Sequence, residues 1–205
     1  MRTPNVFCAD IGSSAKGNFA WWASSDDSGD SLASLADSVA NALNQRMPVA
    51  LGFECPLFVA LEEDEKLLTK ARPGEGAHAW SAGAGCGALA TGLVQVPWIL
   101  GKIRQLLVHP TSAYLDWAEF QKTNAGLFLW EAFVTGSNKG KAHLADAKIG
   151  AQAFMATKFE PRSIIVWPGR KPAIHSLIGL ALLSSGWSTD PEIVHRDCLV
   201  IAPDE

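Results

Sequence analysis

Short apolar segments along the chain alternate with segments in which apolar residues recur every three or four positions. The short segments are flanked by turn-forming residues and predict β-strands. They comprise residues 6–11, 18–24, 49–53, 126–135 and 198–201. The first two are joined by the polar turn at residues 12–17, which is too short for a helical crossover, so they should form an antiparallel hairpin.

The longer segments predict helices. Leu35, Val39 and Leu43 follow helical spacing and indicate an amphipathic helix over residues 31–46, which Pro48 ends. Further helices are expected at residues 88–108, where Pro97 should bend or split the helix, at 142–158 and at 172–185. Residues 112–120 predict a helical turn or two, and residues 163–166 predict either a last inner strand or a loop.

This order of elements predicts an α/β fold. A mixed β-sheet of about five strands, opened by the antiparallel hairpin, should be flanked by helices. The 205 residues should form a single domain over residues 1–205, with an insertion at about 60–110 and an αβ tail at the C-terminus.

Composition and charge narrow the class of protein. Hydrophobic residues make up 48% of the chain, which is enough for a substantial core. The net charge of −4 argues against a broad non-specific nucleic-acid binder, but it allows an enzyme with a small local basic patch. The four cysteines have no zinc-type spacing, and Cys8 and Cys55 lie in apolar segments that suit buried thiols.

The same sequence gives an expectation for location. No apolar run reaches the length of about 18 residues that a membrane-spanning helix needs. The N-terminal residues lack the apolar region and the cleavage site of a signal peptide. We therefore expect a cytoplasmic protein with no membrane partner, and the sequence leaves its oligomeric state open.

Four acidic residues in apolar or small-residue segments are the candidate chemistry. Asp10 and Glu54 each end an apolar run, Glu131 lies within Leu-Phe-Leu-Trp-Glu-Ala-Phe, and Asp146 lies on the helix at 142–158. An unpaired carboxylate is costly to bury. Strand-end carboxylates can meet at one point, and a helix carboxylate can close the site, so the four together predict Mg²⁺ or Mn²⁺ ligands.

Each acid also has an ordinary interpretation. Asp10 and Glu54 could cap turns, and Glu131 and Asp146 could be surface charges. That interpretation is stronger for any one residue, whereas the metal interpretation is slightly stronger for the four together. Gly150 and Ala153, on the helical face of Asp146, would let that helix lie close to the sheet.

Several polar residues near the acids are candidate phosphate contacts. Ser13 and Lys16 lie in the Gly-rich turn after Asp10, where backbone N–H groups could face a phosphate. Arg72 could bind a phosphate oxygen, and His78 could donate a proton or bind a metal. Lys139, Lys141 and His143 lie just before the helical acid and are candidate phosphate contacts as well. A plain hairpin turn and a solvated loop are the competing interpretations.

The order of these motifs resembles the RNase H-like superfamily, and within it a bacterial group of predicted nucleases of unknown function. The matching motifs are Asp10-Ile-Gly12, Glu54-Cys-Pro56, Trp130-Glu131-Ala132 and Leu144-Ala-Asp146-Ala147. Two features depart from that group: Glu54 stands where an Asp is expected, and the stretch after Glu131 lacks an aromatic-Pro continuation. The resemblance implies a mixed five-stranded sheet flanked by helices and metal-dependent phosphodiester hydrolysis.

Three functions therefore remain open. The first is a divalent-metal-dependent phosphodiester hydrolase, a nuclease, in which Asp10, Glu54, Glu131 and Asp146 are catalytic and hold Mg²⁺ or Mn²⁺. The second is a nucleotide-binding phosphotransferase of the actin and sugar-kinase type, although 205 residues are short for its two-lobed clamp. The third is a non-catalytic α/β interaction module whose site has decayed.

Overall fold

The computed structural model describes residues 2–123 and 125–204 and has the α/β architecture that the sequence predicts. Its strands are β1 Asn5–Asp10, β2 Ala20–Ala23, β3 Ser28–Gly29, β4 Pro48–Glu54, β5 Phe58–Leu61, β6 Ala113–Tyr114, β7 Gly126–Ala132, β8 Ala173–Ser176 and β9 Val200–Ile201. Its α-helices are α1 Leu32–Asn44, α2 Gly83–Leu106, α3 Trp117–Gln121, α4 His143–Ala156 and α5 Leu177–Ser184. Short 3₁₀ turns lie at Ser14–Lys16, Gly136–Asn138 and Pro191–His195.

A mixed seven-stranded sheet forms the centre of the described part of the chain. Its strand order is β3-β2-β1-β4-β7-β6, and β9 also pairs with β7. The strands β1, β2 and β3 pair antiparallel to one another, as the predicted hairpin requires, whereas β4 is added parallel to β1, and β7, β6 and β9 follow in parallel. The strands β5 and β8 form a separate antiparallel pair.

The two faces of the central sheet carry different hydrophobic cores, because successive strand residues point to opposite faces. On one face, α1, α2 and α5 cover strand residues such as Phe7, Leu51 and Leu129. On the other face, α4 lies against β1 and β2. Aromatic rings pack together there, and Trp130 and Phe154 have ring centroids 4.8 Å apart.

Several predicted boundaries are wrong, each for a local reason. Helix α2 starts at Gly83 rather than at residue 88. The sequence does not predict its first turns because they are rich in glycine, a poor helix former, and lack apolar periodicity. Pro97 lies inside the helix and does not split it. The region predicted as one helix at 172–185 is β8 followed by α5, and Ser176 caps that helix by accepting a hydrogen bond from the Gly179 N–H at 2.9 Å.

Other predictions are confirmed or refined. The helices expected at 31–46 and 142–158 are α1 and α4, with ends shifted by one to two residues. Residues 112–120 contain the short strand β6 and helix α3, and residues 163–166 form a loop without a strand. Cys8 and Cys55 are free and buried, as their apolar surroundings predict.

Helix α2 is long and apolar enough to cross a membrane by length and composition alone, which the sequence analysis did not anticipate. It is the one such helix in the described part of the chain. Val96, Ile99, Leu100 and Ile103 on its inner face belong to the core that it shares with α1 and α5. Length and composition are weak evidence for a membrane span, because core helices meet the same criteria.

The close approach of α4 to the sheet depends on Gly150, as the small residues of this helix predict. A Cβ atom at this position would lie 2.8 Å from Cys8 Sγ and 3.1 Å from the Cβ of Ala132. These contacts are too short for a methyl group in a packed interior, so any side chain here would push the helix away from β1 and β7.

We expect Gly150→Ala to destabilise the protein by about 1–3 kcal/mol, because overpacking outweighs the higher helix propensity of alanine. Gly101→Ala on α2 is the matched control, because its Cβ would meet only the Cβ of Ser185, at 3.8 Å. The control should be neutral or stabilising by up to about 1 kcal/mol. Urea unfolding measures both changes, and equal effects of the two substitutions would contradict this account of helix packing.

Candidate functional site

The parallel pairing of β1 with β4 brings two of the predicted acids together. Asp10 and Glu54 are direct partners in the register, at the ends of their strands. Both point to the face of the sheet that α4 covers, since Cys8 and Gly52, two residues earlier, lie on that face. Asp146, in the first turn of α4, is 5% exposed and belongs to the same cluster. It is therefore not an ordinary surface charge.

Two basic side chains, Lys139 and His143, contact the acid cluster, which we define as Asp10, Glu54 and Asp146. The Nζ atom of Lys139 lies 3.8 Å from Glu54 Oε1 and 3.6 Å from Asp146 Oδ2. His143 Nδ1 lies 2.6 Å from Asp10 Oδ2. The Lys139 ammonium thus bridges two carboxyl groups, and the His143 imidazole is paired with the third.

Asp146 also has a backbone partner. The Gly140 N–H donates a hydrogen bond to Asp146 Oδ1 over 2.5 Å. This bond ties the loop that carries Lys139 to the first turn of α4. The loop is therefore fixed in a position from which the lysine ammonium reaches the acid cluster.

Burial and crowding change the ionisation of the cluster. Burial, a hydrogen bond with Asp10 and the negative charge of Asp10 together raise the pKa of Glu54 to about 10. Burial would lower the pKa of Lys139, but the nearby carboxylates outweigh it and raise that pKa. At neutral pH, Glu54 therefore holds a proton, and Lys139 is a cation.

We predict that Glu54→Gln stabilises the metal-free protein increasingly as the pH rises. Below the unfolded-state pKa of about 4.5, both states hold the proton and the substitution changes little. Above it, the unfolded wild type ionises while the folded protein keeps the proton, so the wild type loses stability as the pH rises towards about 10.

Thermal unfolding at pH 5 and pH 8 checks this prediction. The stability gained by Glu54→Gln relative to the wild type should grow from pH 5 to pH 8, by on the order of 1–3 kcal/mol. Asp37→Asn, at an exposed position on α1, is the control and should show no such growth. A Glu54→Gln advantage that is the same at both pH values would show that Glu54 is ionised in the folded protein.

Glu131 does not join the acid cluster, because it points to the opposite face of the sheet. Its register partner on β4 is Phe53, which lies in the core beneath α1 and α2. There the carboxylate is held by Arg72, whose Nη1 lies 3.0 Å from Oε2 and whose Nη2 also bonds Oε1. The Leu57 N–H donates a further hydrogen bond to Glu131 over 2.8 Å.

Arg72 is fully engaged within the protein and is not placed as a phosphate contact. Its Nε and Nη2 donate to Glu75 Oε1 over 3.0 and 2.7 Å, and Nη1 donates to the Phe58 carbonyl over 3.0 Å. With the two bonds to Glu131, every guanidinium N–H has an acceptor. Burial would lower the pKa of Arg72, but Glu131 and Glu75 outweigh it and keep the pKa raised.

We expect Arg72→Met to destabilise the fold by about 3–5 kcal/mol, because it leaves the buried carboxylates of Glu75 and Glu131 without a cation. Arg104→Met, at an exposed position on α2, is the matched control and should change stability by less than about 1 kcal/mol. Urea unfolding of the two variants measures the difference. Similar losses for both would mean that the buried ion pair contributes no more than an exposed arginine.

A cleft of about 590 Å³ opens beside the acid cluster, at the ends of β1, β4 and β7. One wall comes from residues 77–91, which include the loop before α2 and its first turns. Among the predicted phosphate contacts, Ser13 and His78 border the cleft. Lys16 and Lys141 are exposed and do not line it.

The acid cluster has the donor chemistry of a divalent-cation site but is not assembled as one. Among residues 2–123 and 125–204, no three His, Cys, Asp or Glu side chains are arranged as ready-made metal ligands. Carboxylate oxygens are nevertheless the ligands that Mg²⁺ and Mn²⁺ prefer. A cation would have to displace the ammonium of Lys139 and the proton of Glu54. Glu131 does not fit as a ligand because Arg72 and Leu57 occupy its oxygens.

The sequence indicates Lys139 and His143 as possible phosphate contacts but does not predict that they pair with the acids. Lys139 and His143 lie just before Asp146, and the structure places both against the acids. A signal for His143 exists in the sequence, because His143 and Asp146 are three residues apart on one helix and share a face. Lys139 lies in a loop and has no comparable periodic signal.

Comparisons of the chain with protein-family models, with curated proteins and with solved structures found no match.

Proposed function

We propose that this protein is a divalent-metal-dependent phosphodiester hydrolase, a nuclease of the RNase H-like superfamily. The mixed sheet flanked by helices and the antiparallel first hairpin are features that the resemblance implies, although the sheet has seven strands where five were predicted. The metal, the hydrolysis reaction and membership of the family are all part of this proposal, and one structural observation carries it.

That observation is the convergence of Asp10, Glu54 and Asp146 from three elements, with Lys139 between Glu54 and Asp146, and with Asp10 and Glu54 lining the cleft. Burying three carboxylates together is unfavourable for stability, and the raised pKa of Glu54 reflects this cost. Such arrangements are common at functional sites, where charge is kept for chemistry rather than for folding. A site that binds a cation and a phosphate accounts for both the acids and the neighbouring Lys139.

The residues of the site would divide the reaction among them. A divalent cation held by the three carboxylates would stabilise the negative charge that builds on the phosphate oxygens. Asp10 orients the His143 ring through Nδ1, which leaves Nε2 to take a proton from the attacking water or to give one to the leaving oxygen. Lys139, whose side chain is 42% exposed, would pair with a phosphate oxygen once released from the carboxylates.

Metal binding is the first half of the test. Millimolar Mn²⁺ or Mg²⁺ should raise the melting temperature, by about 2–4 °C for each kcal/mol of binding free energy. Asp10→Asn and Asp146→Asn should abolish the rise in melting temperature, because each replaces a charged carboxylate ligand with a neutral amide. The exposed Asp37→Asn should keep it. A melting curve that neither metal moves would overturn the cation site.

Cleavage of a phosphodiester is the second half of the test. A phosphodiester should be hydrolysed with Mn²⁺ or Mg²⁺ and not with chelator, and His143→Ala should lower kcat by about 100-fold or more. Asp10→Asn and Asp146→Asn should remove the activity, and Asp37→Asn should not. ATP turnover without phosphodiester cleavage would favour the phosphotransferase. Bound metal with no activity on any phosphodiester or nucleotide would favour the interaction module.

A further inference from the structure

We propose that the cleft beside the acid cluster binds a single nucleotide unit. The substrates would then be dinucleotides or the unpaired end of a strand rather than the interior of a duplex. This inference rests on the proposed function and specifies the substrate class of the same site. It follows from the size of the cleft, from its aromatic residues and from its charge.

The size of the cleft suits a small molecule. Its volume of about 590 Å³ lies within the range of about 300–1,000 Å³ that is typical of small-ligand sites. The wall at residues 77–91 borders the same space as Asp10 and Glu54. A phosphate bound in this space would therefore lie beside the acids, and a volume of this size matches a single nucleotide unit better than a duplex.

Two aromatic side chains border the cleft and could stack on a base. Trp80 belongs to neither hydrophobic core and is half-buried at the cleft wall. Phe133 follows β7 on the way to the loop that carries Lys139; it is half-buried and packs against the core as well as lining the cleft, so Trp80 is the stronger candidate. An indole or phenyl face next to a phosphate site is the combination that single-stranded nucleic-acid sites use, because every base has a face that can stack.

The charge of the cleft favours few phosphates over many. Lys139 is the one lysine or arginine among the described residues that line it, His78 and His143 are the other basic groups, and four acidic residues, Asp10, Glu54, Glu75 and Glu131, line it as well. A duplex-binding surface requires many lysine and arginine contacts along the backbone, because each one neutralises a phosphate. A chain with a net charge of −4 and a single lysine in its cleft favours a short substrate.

The experiment compares three substrates in the presence of Mn²⁺: a dinucleotide, a single-stranded oligonucleotide labelled at one end, and the same sequence as a blunt duplex. We expect cleavage of the dinucleotide and stepwise shortening of the single strand from an end. The duplex interior should be cut at least about tenfold more slowly than the dinucleotide. Internal cuts in the duplex at a rate equal to that of the dinucleotide would overturn the proposal.

Substitutions at the aromatic wall test the stacking contact. Trp80→Ala should raise the KM for the dinucleotide by about 5- to 150-fold with little change in kcat, as expected for loss of one stacked base. Trp80→Phe, which keeps an aromatic face, should have a KM for the dinucleotide close to that of the wild type. The control is Trp98→Ala, on an exposed part of α2 that does not line the cleft, and it should behave as wild type. An unchanged KM in a folded Trp80→Ala variant would exclude Trp80 from the site.

Calorimetric binding of a nucleoside 5′-monophosphate separates this inference from the proposed function. Binding that is lost in Trp80→Ala and kept in Trp98→Ala, without hydrolysis of any phosphodiester, would support the nucleotide site and overturn the hydrolase. Duplex cleavage without monophosphate binding would support the hydrolase and overturn the nucleotide site.

Discussion

The backbone pairing of β1 with β4 is the constraint on which the rest of the site depends. Parallel pairing sets Asp10 beside Glu54 at the same edge of the sheet and on the same face. Hydrogen bonds of the sheet fix this geometry, so the carboxylates cannot move apart to relieve their repulsion. The proton on Glu54, the ammonium of Lys139 and the imidazole of His143 are the means by which the fold tolerates it.

The sheet separates two sets of buried carboxylates that serve different purposes. On the α4 face, the acid cluster is compensated by Lys139, which is partly exposed and can be displaced. On the opposite face, Glu131 and Glu75 are compensated by Arg72, whose donors are all used and whose side chain is 1% exposed. The first set is paired with a lysine that solvent reaches, whereas the second holds the loop before α2 against the end of β7.

The sequence predicts the elements well and the site in part. Alternation of apolar segments was enough to find β1, β2, β4, β7, α1 and α4, because each buries a continuous apolar surface. It was also enough to single out Asp10, Glu54 and Asp146. It failed for Glu131, because membership of the cluster depends on which face of the sheet a strand residue occupies. That face is set by the register of β7 against β4, a long-range pairing that local sequence does not specify.

Arg72 shows the same limit of local sequence, for a side chain that was predicted to be a phosphate contact and is buried in an ion pair. In the sequence it lies in a Gly-rich loop among charged residues, which is the usual setting of a solvated side chain. In the structure it is 3% exposed, because Glu131 comes from a strand 59 positions away and Glu75 from the same turn. Neither composition nor periodicity contains that partnership, so a buried ion pair and a surface arginine cannot be told apart before the fold is known.

The cleft keeps its width because α2 is anchored at the ends of both strands that carry acids. Gln95 Nε2 donates a hydrogen bond to the Gly12 carbonyl over 2.8 Å, which ties the helix to the turn after Asp10. Gly92 packs so closely that a Cβ there would lie 2.9 Å from the Sγ of Cys55, the residue after Glu54. The helical part of the wall that bounds the cleft is thus fixed to the same strand ends as the acids it faces. The distance between α2 and the acids therefore follows from packing.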